Sequence, residues 1–141
     1  MKQTPLENLL NEVRLLYQSM VQIGDELHAP LHLSMGMRAV LEYLAREGPA
    51  TVPQMARARR VTRQRIQSLV NALLAKALVK KQVNPRTQRS HLIAITSAGL
   101  RVIEGMRRKE GDVFDTNIDD NRLMDTADVL KRVRLSLEEN R

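Results

Sequence analysis

The chain has 141 residues, 43% of them hydrophobic, which is enough for one domain with its own core and cramped for two. It has no cysteine, which excludes disulfide scaffolding, thiolate metal sites and thiol redox sensing, and its aromatics, Tyr17, Tyr43 and Phe114, are too few for the stacking platforms of single-strand nucleic-acid binders. The formal net charge of +7 is segregated: no acid stands between Glu47 and Glu104, a stretch with eleven of the 23 basic residues, while the other twelve face all 16 acids. Solubility alone is served equally well by mixed signs, so the acid-free stretch points to a polyanion, with duplex nucleic acid the better target.

The apolar residues Leu6, Leu9, Leu10, Val13, Leu16, Tyr17, Met20, Ile23 and Leu27 recur at helical spacing. They predict one long amphipathic helix from about Pro5 to Leu27, closed at Ala29-Pro30, with a stripe longer than a small domain needs. Ser34 is placed to cap a second helix with Met37, Val40, Leu41 and Leu44 inside, ending at Glu47-Gly48-Pro49. Thr51 with Gln54 has the spacing of a capping box and opens a short third helix with Val52, Met55 and Ala56 inward. After a turn at Arg59-Arg60-Val61, Thr62 caps a fourth helix with an inner stripe of Ile66, Leu69, Val70, Leu73, Leu74 and Ala77. Short helix, brief turn and longer helix make a helix-turn-helix.

Two short apolar runs, Leu78 to Val83 and Ser90 to Ile95, flank the polar loop Asn84-Pro85-Arg86-Thr87-Gln88-Arg89 and read as a β-hairpin, the wing. Thr96 caps a fifth helix through Leu100, Val102, Ile103 and Met106 to near Phe114. A sixth, from about Asp119 to Glu138, presents Leu123, Ala127, Leu130, Val133 and Leu137. The expected fold is mainly α with a small two-stranded β wing: a winged helix-turn-helix of about six helices. One domain spans 1–141, with a DNA-binding lobe at 34–95 and a helical dimerisation region at 5–30 and 97–139.

Between Thr51 and Leu100 the chain resembles the multiple antibiotic resistance regulator (MarR) family. Val61-Thr62-Arg63 with Leu69 to Val79 is similar to its recognition helix and exit; the Asn84 to Arg89 loop followed by Leu92 to Leu100 is similar to its wing and the helix after it. The resemblance implies a homodimer built by the first and the last two helices, recognition helices in successive major grooves and wings in adjacent minor grooves. It further implies a transcriptional regulator, usually a repressor, released by a small-molecule effector. Two positions depart from the pattern. Thr87 stands where the family usually has an aspartate that orients the wing arginine, and Ala77 where it tends to have glycine at the end of the recognition helix.

The candidate DNA contacts are Arg63, Gln64, Arg65, Gln67 and Ser68 beside the cap Thr62 at the amino end of the fourth helix, where arginine pairs with guanine and glutamine with adenine. Arginines in a first turn oppose the helix dipole, which argues for function over stability. Arg86 and Arg89 stand on the hairpin tip, suited to a narrow, electronegative minor groove. The resemblance puts an effector pocket near His32, Met35, Met37 and Arg38, although methionine at helical spacing is more often core. His28 and His32 are four apart, but Pro30 interrupts the helix that would pair them on a metal; they read as ordinary surface histidines, with no metal or cofactor expected.

A catalytic reading finds no Ser-His-Asp set, phosphate loop or metal-ligand cluster in the sequence. The alternative is a winged-helix protein-interaction subunit with its basic face on an acidic partner. No signal peptide or membrane span is evident, so a cytoplasmic, nucleoid-associated protein is expected.

Overall fold

Thr4 starts the first helix with a reciprocal cap: its hydroxyl accepts from the Glu7 N–H at 3.1 Å while the Glu7 carboxylate accepts from the Thr4 N–H at 2.7 Å. In the computed structural model, which describes residues 1–141, this helix, α1, runs Pro5–His28 and is followed by a 3-10 turn, Ala29–Leu31. Then come α2 (Met35–Glu47), α3 (Val52–Arg59), α4 (Arg63–Ala75), β1 (Val79–Gln82), β2 (Leu92–Ile95), α5 (Ser97–Val113) and α6 (Asp120–Glu139). The expected caps Ser34, Thr51 and Thr62 each accept from the backbone N–H three residues on, and Thr51 and Gln54 complete the capping box. No helix is long and apolar enough to cross a membrane.

Packing divides the chain into two units, Met1–Gly111 and Asp112–Arg141. In the first, the core joins Met37, Val40, Leu41 and Leu44 of α2 to Met55 and Ala56 of α3, Ile66, Leu69, Val70 and Leu73 of α4, and Ile103 and Met106 of α5. The antiparallel pair β1–β2 runs in register from Val79 opposite Ile95 to Gln82 opposite Leu92. Its strands are shorter than the apolar runs suggested: Leu78 is core but outside the ladder, and Val83 is exposed. The wing is anchored from behind, because Ile93 exchanges both backbone hydrogen bonds with Ala50, at 2.7 and 3.1 Å, in the link between α2 and α3. The second unit holds α6, capped by Asp119 on the Asn121 N–H at 2.9 Å, with none of its residues buried.

Two expectations are corrected here. Ala77 is not part of the inner stripe of α4. The helix stops at Ala75, and Ala77 is exposed in a left-handed conformation, φ 57°, with its N–H on the Leu74 carbonyl and the Leu78 N–H on the Leu73 carbonyl. This is the glycine-type ending made with alanine, because Leu73 and Leu78 must both enter the core across a reversal that only a left-handed residue allows. His28 is not a surface histidine: it is fully buried, because its partner lies 82 residues away on α5.

Thr96 ties the wing to the exit of α4. Its hydroxyl donates to the Ala77 carbonyl at 2.8 Å and accepts from the Gly99 N–H at 3.1 Å, and its N–H reaches the Leu78 carbonyl. Gly99 sits so close to that carbonyl that a Cβ there would collide with backbone. Gly99→Ala is therefore expected to destabilise by about 1–3 kcal/mol as a forced overpacking. Ala77→Gly is expected to stabilise by about 0.5–1 kcal/mol, the left-handed penalty of alanine outweighing the added freedom of glycine in the unfolded chain. Urea unfolding at fixed protein concentration checks both; a destabilised Ala77→Gly would show that the alanine methyl packs usefully.

Candidate nucleic-acid interface

The buried residues of α4, Ile66, Leu69, Val70 and Leu73, recur at i, i+3, i+4 and i+7. Gln64, Gln67, Ser68 and Asn71 repeat the same spacing on the opposite side and are all exposed. This polar stripe is the outward edge of the helix-turn-helix. Asn71 belongs to it, accepting from the Gln67 side-chain amide at 2.9 Å. The first turns of the helix alone do not reveal Asn71, although its distance of seven from Gln64 is a usable signal.

The two arginines of the first turn part to opposite flanks. Arg63, with Gln64 and Gln67, faces Lys81 and Arg89 of the wing across a recess of 410 Å³. Arg65 lies on the other side, along a recess of 430 Å³ shared with Tyr17 of α1 and Met35 and Arg38 of α2. Its guanidinium covers Gly36, where a Cβ would stand 3.1 Å from Nη2. Thr62 is occupied as the cap, its hydroxyl accepting from the Arg65 N–H at 3.0 Å. At the wing tip the Asn84 side chain accepts from the Arg86 N–H at 3.0 Å, and the Thr87 hydroxyl from the Arg89 N–H at 3.1 Å. Thr87 thus holds the backbone of Arg89 and leaves its guanidinium unrestrained by any nearby acid in sequence. Of the residues assigned to an effector pocket, Met35 and Arg38 line the 430 Å³ recess, Met37 is core, and His32 is exposed at the end of the 3-10 turn.

A buried ionic junction holds the lobe against the long helices. Arg38 of α2 donates from Nε to Glu110 Oε1 at 2.7 Å and from Nη2 to Oε2 at 3.0 Å, and His28 at the end of α1 meets Oε1 at 3.2 Å. A carboxylate only accepts, so His28 Nε2 carries the hydrogen. Arg38 and Arg107 also flank Glu42, at 3.6 and 3.5 Å. Burial pushes the Glu110 carboxyl up, but the hydrogen bonds and charge of Arg38, joined by those of His28, prevail and hold it below its ordinary value of 4.5.

The polar stripe on a capped helix, flanked by a basic hairpin anchored on the core, defines a winged helix-turn-helix protein. Residues 38–90, the centre of this lobe, match the sequence profile of the MarR family. The lobe is similar to that family, and the chain has the fold of solved MarR proteins. A MarR protein from Peptoclostridium difficile superposes with a TM-score of 0.86 at 18% identity, covering 99% of this chain and 94% of that one. A mutant MarR of E. coli, crystallised with operator DNA, superposes with a TM-score of 0.79 at 18% identity over 91% of this chain and 94% of that one. An uncharacterised protein of Mycobacterium tuberculosis H37Rv is 32% identical over 94 residues, 64% of this chain. The match spans 66% of that relative's length, just under two thirds.

Removing the Glu110 charge leaves the half-buried Arg38 with only the longer contact to Glu42, so Glu110→Gln is expected to lose about 3 kcal/mol at pH 7, the lower end for breaking a buried pair. Because the folded carboxyl lies below its unfolded value, its contribution is complete above about pH 4.5 and fades as pH falls through the folded value. The gap between wild type and Glu110→Gln should therefore narrow in acid. Urea midpoints at pH 7 and in acid check this; a gap independent of pH would mean that shape, not charge, holds the junction.

Proposed function

We propose that this protein is a homodimeric, sequence-specific duplex-DNA-binding regulator of transcription, acting as a repressor on an inverted-repeat operator. The observation that carries the reading is the exposed stripe Gln64, Gln67, Ser68 and Asn71, with Arg63 and the wing cations beside it in a segment without a single acid. Glutamine and asparagine are the side chains that pair bidentately with adenine, arginine the one that pairs with guanine, and the surrounding cations supply phosphate contacts. The operator complex of the E. coli relative supports the same mode of binding. The expected region of dimerisation, 5–30 and 97–139, fits the unburied apolar residues of α1, among them Leu6, Leu16 and Tyr17, and of α6, among them Leu123, Met124 and Leu137. A second copy that covered them would place two recognition helices about 10 base pairs apart on one face of the duplex. A small-molecule effector in the recess bounded by Met35, Arg38 and Arg65 would bear directly on α4.

Equilibrium sedimentation should find a dimer at micromolar concentration, and fragments selected from a random duplex pool should share an inverted repeat. A folded monomer, or capture of an acidic protein without any preferred duplex, would overturn the reading. Affinity should also fall steeply with salt as phosphate contacts release counterions.

The two arms of the interface should differ in kind. Arg63→Ala or Arg65→Ala is expected to relax preference within the half-site by about 1–3 kcal/mol, the discrimination of one bidentate base contact. Arg89→Ala should keep the half-site preference but lose most affinity on operators with A·T-rich flanks, where the minor groove is narrow. Dissociation constants on A·T-rich and G·C-rich flanks at fixed salt decide; equal losses on both would remove the minor-groove role of Arg89.

A further inference from the structure

His91 has no part in the core, the ionic junction or the polar stripe, yet it lines the 410 Å³ recess between α4 and the wing. We propose that His91 is a proton-dependent contact to the DNA backbone, so that duplex affinity rises as pH falls through the range in which histidine gains its charge. The inference rests on the DNA-binding reading above and adds a regulated contact to that site.

Strand geometry sets the position. Lys81 pairs with Ile93 across the ladder, and His91 precedes Ile93 by two, so alternation puts Lys81, His91 and Ile93 on the same face of the hairpin, toward α4. Ile93 is buried and bound on both backbone groups to Ala50, so His91 leaves the anchored root of the wing, whereas Arg86 and Arg89 belong to its turn. The imidazole is exposed, so a nucleic-acid strand can reach it.

The charged groups that face it all have one sign: Arg63 from α4, Lys81 from β1 and Arg89 from the wing, while α3 presents only Val52 and Pro53. A proton on His91 adds a fourth positive charge to this recess. A phosphate strand lying in the recess would favour that charge. Protonation and duplex binding therefore favour each other, and histidine is the side chain whose charge ordinarily changes between about pH 5 and 8. The neutral imidazole still donates or accepts a hydrogen bond, so the contact weakens at higher pH without becoming repulsive.

The test uses the full chain on one fixed duplex, with dissociation constants at pH 6 and pH 8 at constant ionic strength for wild type, His91→Gln and His91→Lys. Wild-type affinity is expected to fall several-fold from pH 6 to pH 8. His91→Gln should bind at both pH values with the weaker affinity, and His91→Lys with the tighter one. At pH 6 the salt slope of wild type should exceed that of His91→Gln by roughly 0.9 per subunit, one phosphate contact each. If His91→Gln keeps the full pH dependence, the proton belongs to His28 or His32 and the inference is overturned. Tight wild-type binding that is flat in pH overturns the inference alone; no duplex binding by any form at either pH overturns the DNA-binding reading with it.

Discussion

Burying Ile66, Leu69, Val70 and Leu73 against α2 and α3 fixes the rotation of α4 about its own axis, and at 3.6 residues per turn that rotation decides which side chains leave the protein. Gln64, Gln67, Ser68 and Asn71 face outward because the apolar stripe faces inward; Arg63 and Arg65 are forced to the flanks for the same reason. The presentation of the outer face of α4 is thus a consequence of core packing, which tolerates little slippage at interior packing density. The flexible arginines are then free to adapt at the edges, and the shorter amides are held where the helix puts them.

The wing is coupled to this helix by backbone chemistry more than by side-chain packing. Thr96 bridges the exit of α4 and the start of α5, Gly99 permits the close approach, and Ala50 grips Ile93 from behind. A two-stranded hairpin alone is marginal in water. Here its root is held by the core, and its tip carries Arg86 and Arg89 on two successive side-chain-capped turns. Thr87 supplies the hydrogen bond that shapes the turn but no charge to hold the guanidinium of Arg89, which would therefore give up more freedom on meeting a partner than a paired arginine does.

The junction of Glu110, Arg38 and His28 couples the lobe to α1 and α5. Arg38 belongs at once to this junction and to the recess that Arg65 lines, so the charge that holds the lobe in place also borders the flank of α4. A buried ion pair is a poor source of net stability but a demanding one geometrically, since its partners lose their compensation when they separate. Its place between elements distant in sequence suits it to fixing the angle at which the lobe is held.

Local rules made much of this protein legible from residues alone. The helices, the caps Ser34, Thr51, Thr62 and Thr96, the hairpin and the basic, acid-free lobe follow from period, capping chemistry and charge, each of which acts over a few residues. That the polar residues at the start of α4 face outward was legible for the same reason. What only the tertiary structure decided were relations across long separations. His28 reads as a surface residue until Glu110, 82 positions on, is folded against it, and Arg38 shows its second partner only when the same carboxylate meets it at the edge of the recess. Ala77 reads as one more apolar position of α4 until Leu73 and Leu78 enter one core and force the reversal between them. His91 gains a setting only when β2 pairs with β1 and turns that face of the hairpin toward Arg63. Periodicity reports which face of an element is apolar, whereas the partner of a buried charge is chosen by the packing of whole elements, a property no short window of sequence contains.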